Sequence, residues 1–113
     1  MDLRFGEEKS ATGTATASYV DAMILAIAPI KSTSFIVENT HATLTLKYKV
    51  LIYRNIGGTY EEEYVAEATI QPLGQDTVNI SADLAISKAV LQVKDGTGHA
   101  TYAVEGIQLR GGV

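Results

Sequence analysis

Residues 43–70, TLTLKYKVLIYRNIGGTYEEEYVAEATI, constrain this chain more than any other stretch. On the first arm Leu44, Leu46, Tyr48, Val50 and Ile52 occupy alternate positions, with Thr43, Thr45, Lys47 and Lys49 between them. A period of two is the signature of a β-strand with one buried face. After the Gly57-Gly58 pair the return arm repeats it. Tyr60, Tyr64, Ala66, Ala68 and Ile70 share a face with one intruder, Glu62, while Glu61, Glu63, Glu67 and Thr69 lie opposite. Two long antiparallel strands follow, and their pairing can be argued from side-chain parity.

A two-residue Gly57-Gly58 turn would set Ile56 against Thr59 and put Leu46 and Val50 on the same face as the glutamates. Each large apolar side chain displaced from burial would cost about 1.5–3 kcal/mol. An odd loop avoids this. A loop over residues 55–59 pairs Arg54 with Tyr60, Val50 with Tyr64 and Lys47 with Glu67, and a shift to Arg54–Gly58 pairs Lys49 with Glu63. In either register the glutamates meet lysines on the wet face, each pair contributing a few tenths to about 1 kcal/mol.

The rest of the chain is read in the same way. Residues 1–9 are charged, and SATGTATAS (residues 10–18) is small and low in complexity, so this piece is an exposed arm or an edge strand that depends on a neighbour. In SYVDAMILAIAPI, Ser18 and Asp21 have capping-box spacing, but the run is short for a helix and its neighbours are strand-like. A strand buried on both faces is favoured. Residues 34–38 form a short strand before an Asn-Thr turn, and Pro72 and Gly74 mark a loop before VNIS resumes a strand. A helical turn at Ser81 is possible ahead of a strand over residues 89–94. A Gly96-Thr97 turn of type II′ then predicts a second hairpin, pairing Val93 with Ala100, Leu91 with Tyr102 and Ala89 with Val104.

Short strands and glycine-punctuated turns give an all-β fold: an antiparallel β-sandwich or barrel of about seven to eight strands, Ig-like or jelly-roll-like. The expected organisation is an extended N-terminal arm, residues 1–18, ahead of a single β-sandwich domain, residues 19–113. A chain of 113 residues is enough for one domain. It buries roughly two-thirds of its unfolded surface without staples, and it has no cysteine. Disulfides, thiol catalysis and cysteine-ligated metal are thereby excluded for this sequence.

Net charge is −4, with only nine Lys and Arg, scattered rather than clustered, so no nucleic-acid partner is expected. The N-terminus has no apolar signal core, and the most apolar run, residues 22–30, is far short of the ~20 residues that cross a bilayer, so no membrane partner is expected either. The chain is expected to be made in a cytoplasm.

Catalytic signatures are missing from the sequence. His41 sits at a turn and His99 beside another, and neither belongs to an H-x-x-H pattern. A strand sends Glu62 to the face opposite Glu61 and Glu63, leaving those two about 7 Å apart with lysines near, which is a solvated face rather than a carboxylate pair in a cleft. DGTGH matches no phosphate-binding loop, and no G-x-S-x-G or S-x-x-K frames a nucleophile. A non-enzymatic protein without cofactor or metal is expected.

FIVENTHATLTLKYKVLIY and IQPLGQDTVNISADLAISKAVLQVKDG carry an N-T turn, then L-x-L-x-Y-x-V, a P-x-G loop and a V-K-D strand end. This pattern, over roughly residues 35–110, resembles small β-sandwich proteins of tailed-bacteriophage virions, and bacterial Ig-like modules show similar strings. The resemblance implies a virion structural role: a head decoration, connector or tail component that binds capsid or tail proteins, and itself, in symmetric copies. It carries no catalytic residues. The expected contact residues are Leu3, Phe5, Thr12, Thr14 and Thr16 of the arm, and Arg54, Asn55, Ile56, Tyr60 and Glu62 at the hairpin tip. The alternative function is a ligand- or carbohydrate-binding Ig-like β module, for which Tyr53 is the main outward aromatic.

Overall fold

The computed structural model describes residues 5–26, 31–54, 60–80, 86–95 and 99–110. Its eight strands are β1 (Phe5–Thr14), β2 (Val20–Ala26), β3 (Lys31–Asn39), β4 (Leu46–Arg54), β5 (Tyr60–Ile70), β6 (Gln75–Ile80), β7 (Ile86–Lys94) and β8 (Thr101–Arg110). No helix occurs among the described residues, and hence none long and apolar enough to cross a membrane. Two four-stranded antiparallel sheets result: sheet I, in the order β1-β8-β3-β6, and sheet II, in the order β2-β7-β4-β5.

The order has a simple origin. β4 pairs with β5, β3 with β6, β2 with β7 and β1 with β8. The chain is therefore one long two-stranded ribbon, folded at β4–β5 and rolled up. The β3·β8 and β4·β7 ladders join its turns into two sheets. This is a jelly roll, so the all-β sandwich read from the sequence is the fold.

The core lies between the sheets. From sheet II it takes Met23, Leu25, Leu46, Tyr48, Val50, Ile52, Ile70, Ala89, Leu91 and Val93; from sheet I, Phe35, Val37, Val78, Ile80, Tyr102 and Val104. Phe35, Val37, Leu46, Val50, Leu91 and Val93 are fully buried. Truncating Phe35 to alanine would cost about 3–5 kcal/mol.

Residues 5–14, within the expected arm, are edge strand β1, paired with β8 along Phe5↔Leu109 to Thr14↔Thr101. Its low-complexity sequence has a packing reason. Ala11 packs against the core, Ala15 is buried, and Gly13 lies opposite Tyr102, where an added Cβ would come within 2.6 Å of the Tyr102 hydroxyl.

Residues 20–26 are a strand, as favoured. Only Met23 and Leu25 are buried, however, and outward Ile24 is 43% exposed, because β2 is an edge strand and not an interior one. The β4–β5 register is as expected at the tip, Arg54↔Tyr60, but slips further along. Val50 faces Val65 rather than Tyr64, and Lys47 faces Thr69 rather than Glu67, because two bulges add residues to β5. Two successive slips restore the parity, so Ala68 and Ile70 still point inward, but between the slips Val65 packs against the core, and Tyr64 and Ala66, expected on that face, are exposed.

The expected hairpin across Gly96-Thr97 is wrong. β7 and β8 belong to opposite sheets: Leu91 pairs with Met23 and Val50, whereas Tyr102 pairs with Gly13 and Asn39. Alternation reports only that a side chain faces the core, and strands facing each other across a core satisfy it as well as neighbours within a sheet. The turn residues 96–98, and the helical turn considered at Ser81, lie outside the described residues.

Candidate functional site

A sandwich leaves each sheet one outer face. On sheet I, the side chains alternating with the buried set form rows across the strands. Glu8 stands beside Ile107, Ser34 and Asn79; Ser10 beside Glu105, Ile36 and Thr77; Thr12 beside Ala103, Glu38 and Gln75; Thr14 beside Thr101. Most are short. A hollow of about 270 Å³ opens between them, lined by Ser10, Thr12, Ile36, Glu38, Gln75 and Glu105 among others. The face holds Glu8, Glu38 and Glu105 and, among the described residues, no lysine or arginine, nor any ion pair to these carboxylates. Its polar contacts are within the sheet: Ser34 Oγ donates to Asn79 Oδ1 at 2.6 Å, and Thr40 Oγ1 to Thr101 Oγ1 at 2.8 Å.

The outer face of sheet II is built differently. Tyr19, from the β1–β2 connection, donates its hydroxyl to Glu67 Oε2 at 2.6 Å. Lys49 and Lys94 hold their ammonium groups 4.5 and 4.8 Å from the centre of its ring. Glu67 takes Lys94 at 3.5 Å and Lys47 at 3.7 Å, and Glu63 takes Lys49 at 3.9 Å. At the other end Lys88 lies 4.5 Å from the ring centre of Tyr53. Paired between these clusters, Leu51 and Val90 are each only 3% exposed although they point away from the core. Burial, and then the bond to Glu67, raises the Tyr19 hydroxyl above the usual tyrosine range; the same bond, helped by Lys47 and Lys94, lowers the Glu67 carboxyl. The lysine–glutamate complementarity read from the sequence is present, with Tyr19 and Lys94 as additional members.

One end of the sandwich is tied by buried polar groups. Asn39, fully buried, donates Nδ2 to Leu44 O at 2.7 Å and Ile70 O at 3.1 Å, and accepts the His41 amide on Oδ1 at 3.0 Å. His41 Nδ1 accepts the amides of Thr43 and Leu44, both at 3.0 Å, so this histidine holds a turn. Asp95 Oδ2 accepts the amides of His99 and Ala100. Between the sheets Tyr48 donates to Asp76 Oδ2 at 2.9 Å, and burial together with that bond pushes its hydroxyl up to about 12. No three acidic or histidine side chains among the described residues gather as a metal site.

The expected contact residues do not form one patch. Thr12 and Thr14 stand exposed on the outer face of sheet I, and Thr16 is exposed in the connection beyond, its hydroxyl donating to Ser18 O. Phe5 pairs with Leu109 at the opposite end of β1. Arg54 and Tyr60 pair with each other in sheet II, and Glu62, half-buried, lies opposite Ile52. Leu3, Asn55 and Ile56 lie outside the described residues. Sequence reasoning missed Glu38, Glu105 and Tyr19. The first two are ordinary outward residues until their strands are placed side by side, and Tyr19 meets partners far away in the chain.

No family model matches the chain, and no curated protein matches it. Solved structures of similar fold include a mitogen from Yersinia pseudotuberculosis (TM-score 0.62, 14% identity, covering 89% of this chain and 85% of that one). A protein of Bacillus endospore appendages, described as disulfide-linked pili, is similar at TM-score 0.59 and 11% identity over 94% of this chain and 87% of that one. The SPBc2 prophage-derived protein YomS is similar at TM-score 0.53 and 10% identity over 96% and 99%. At these identities the likeness is one of fold.

Proposed function

We propose that this chain is a non-enzymatic assembly module that binds other protein subunits through the outer face of sheet I. The observation that carries the reading is the contrast between the two outer faces. Sheet II's is closed by its own ion pairs and lysine–tyrosine contacts. Sheet I's keeps Glu8, Glu38 and Glu105 without a described counter-charge, the last two lining a hollow. A partner presenting lysine or arginine there would meet complementary potential, which governs encounter and register. Thr12 and Thr14 belong to this face.

Within that reading the finer proposal is a structural component of a tailed-phage virion: a head decoration, connector or tail protein binding other virion proteins and itself. The sequence resemblance supports it, and the fold shared with a prophage-derived protein and with a pilus protein is compatible with it. The disulfide linkage described for those pili has no counterpart in a sequence without cysteine. Light scattering of the chain with its virion partners tests the reading. Glu38→Lys with Glu105→Lys is expected to abolish association, and raised salt to weaken it. Association unchanged by the charge reversal rejects sheet I as the contact face. Mass spectrometry of purified virions, finding the chain at a fixed copy number or not at all, tests the virion role.

The carbohydrate-binding alternative rests on Tyr53 and Tyr19, the tyrosines set on sheet II's outer face. Both rings already carry lysine ammonium groups at 4.5–4.8 Å. Glycan-array binding lost on Tyr53→Ala would favour that module instead.

A further inference from the structure

We infer that sheet I also joins copies of this chain edge to edge, with β6 of one copy antiparallel to β1 of the next. The inference rests on the assembly reading above and names one of its partners.

The backbone gives the direction of the free groups. In an antiparallel ladder the residues that exchange hydrogen bonds with one neighbour alternate with those facing away from it. The Asn39 amide donates to Gly74 O at 2.9 Å, so in the β3·β6 register Val37↔Asp76 and Phe35↔Val78 are the bonded pairs. Gln75, Thr77 and Asn79 then turn their N–H and C=O groups to the outer edge. Tyr64, reaching from β5, donates to Asn79 O at 3.0 Å, as that direction requires. On the opposite side the Ala15 amide donates to Ala100 O at 2.8 Å, so Gly13↔Tyr102 and Ala11↔Val104 are bonded pairs. Glu8, Ser10, Thr12 and Thr14 face outward with their backbone groups.

The four sheet edges are not alike. An unprotected edge is a template for another strand, and bulges or lysines are the usual guards. In sheet II, β2 has a bulge between Asp21 and Met23, and Lys9 Nζ reaches Ile24 O at 3.4 Å. β5 has two bulges and carries Glu63 and Glu67. In sheet I, the β6 ladder has no register shift and only Asn79 O on its outer edge is met by a side chain among the described residues, the Tyr64 hydroxyl, while the β1 ladder has no shift from Glu7 to Thr14. Among the described residues the two least guarded edges thus belong to the same sheet.

They also fit each other. Alternation of direction along β1-β8-β3-β6 makes β6 antiparallel to β1. A copy placed beside β6 in the same orientation therefore presents its β1 antiparallel, with no two-fold rotation. Setting Thr77 opposite Thr12 of the next copy sets Gln75 opposite Thr14 and Asn79 opposite Ser10. Every one of these residues has outward backbone groups, so each pair exchanges two hydrogen bonds. Their side chains are all neutral and share the outer face. On the inner side Val78 meets Ala11 and Asp76 meets Gly13, both small. Asn79 O has a second lone pair for the new bond beside Tyr64. Contact between two different edges leaves one of each free at the ends, so the product is a ring or a filament.

Thr12→Pro and Thr77→Pro test the pairing. Each removes an N–H that points to the free edge and spares the internal ladders, and proline is tolerated at such positions. Light scattering of the wild type is expected to show mass rising with concentration beyond a dimer. Each variant alone is expected at the 12.1 kDa monomer mass. An equimolar mixture of the two should form a dimer, since one keeps β6 intact and the other β1. Wild-type amide exchange should be slowed tenfold or more at Ser10, Thr12, Thr14 and Thr77 when concentrated, which decides the matter even if a proline variant fails to fold. A wild type monomeric at all concentrations overturns the inference. So does one proline variant remaining dimeric while the other is monomeric, the mark of two-fold self-pairing. If Glu38→Lys with Glu105→Lys disperses assemblies that neither proline variant affects, the edge pairing is rejected and the face reading stands.

Discussion

The two outer faces of this sandwich start from the same alternation and end in opposite states. On sheet II many of the outward residues are long: Lys47, Lys49, Lys88, Lys94, Glu63, Glu67, Tyr53 and Gln92. They reach one another, and Tyr19 is laid across them. On sheet I they are mostly short, and the glutamates among them stand without a described cation. Long side chains can satisfy one another at the cost of rotamer entropy, whereas short ones leave their surface to whatever comes next. One face of this molecule is therefore tied to its stability and the other is free to vary with its contacts.

That division has measurable consequences. The largest is expected for Tyr19→Ala, which removes two cation–π contacts and a hydrogen bond and should cost about 2 kcal/mol in urea unfolding, while Thr12→Ala stays under about 0.5 kcal/mol. Equal losses would break the comparison. Next comes Tyr48→Phe, which cuts the tie between the sheets at Asp76 and should cost about 1 kcal/mol at neutral pH. The Tyr48 hydroxyl is raised from 10.0 to about 12 by burial and by Asp76, so its contribution is complete below 10.0 and lost as pH rises towards 12. Thermal melts of the variant should lack that alkaline decline.

A smaller effect is expected for Glu67→Gln. The carboxyl is lowered from its ordinary 4.5 by the Tyr19 bond and by Lys47 and Lys94, so its stabilisation is present above 4.5 and lost as pH falls through the lowered value. Melting temperatures of wild type and variant should converge in acid. The smallest effect belongs to sheet I: Glu38→Lys with Glu105→Lys should shift the unfolding free energy by less than about 0.5 kcal/mol, while the proposed association with partner proteins is expected to be lost. A large loss there would show that this face also supports the fold.

Most strands, and the inward set of β4, were legible because a period of two is local, whereas on β5 the expected Tyr64 is exposed and Val65 packs inward. Leu46, Tyr48, Val50 and Ile52 are the core residues the alternation indicates. Sheet membership was not legible. Leu91 and Tyr102 face the same core from opposite sheets, and no spacing distinguishes that from adjacency. The bulges that put Val65 opposite Val50 leave no mark in the alternation of YEEEYVAEATI. Of the face proposed for contact, Thr12 and Thr14 were singled out because a low-complexity stretch draws attention to its few side chains. Glu38 and Glu105 acquire meaning only once β3 and β8 lie side by side.

The rolled ribbon also dictates how the molecule can form. Of the strands that pair with one another, only β4 and β5 are consecutive in sequence. Each further turn of the roll joins strands more distant along the chain, ending with Phe5 beside Leu109. Loop-closure entropy therefore favours a nucleus at β4·β5 that grows outward, and the high contact order makes the process slow. On that order β1 is expected to close last, leaving the edge of β8 that takes β1 open until then to a strand from a neighbouring chain.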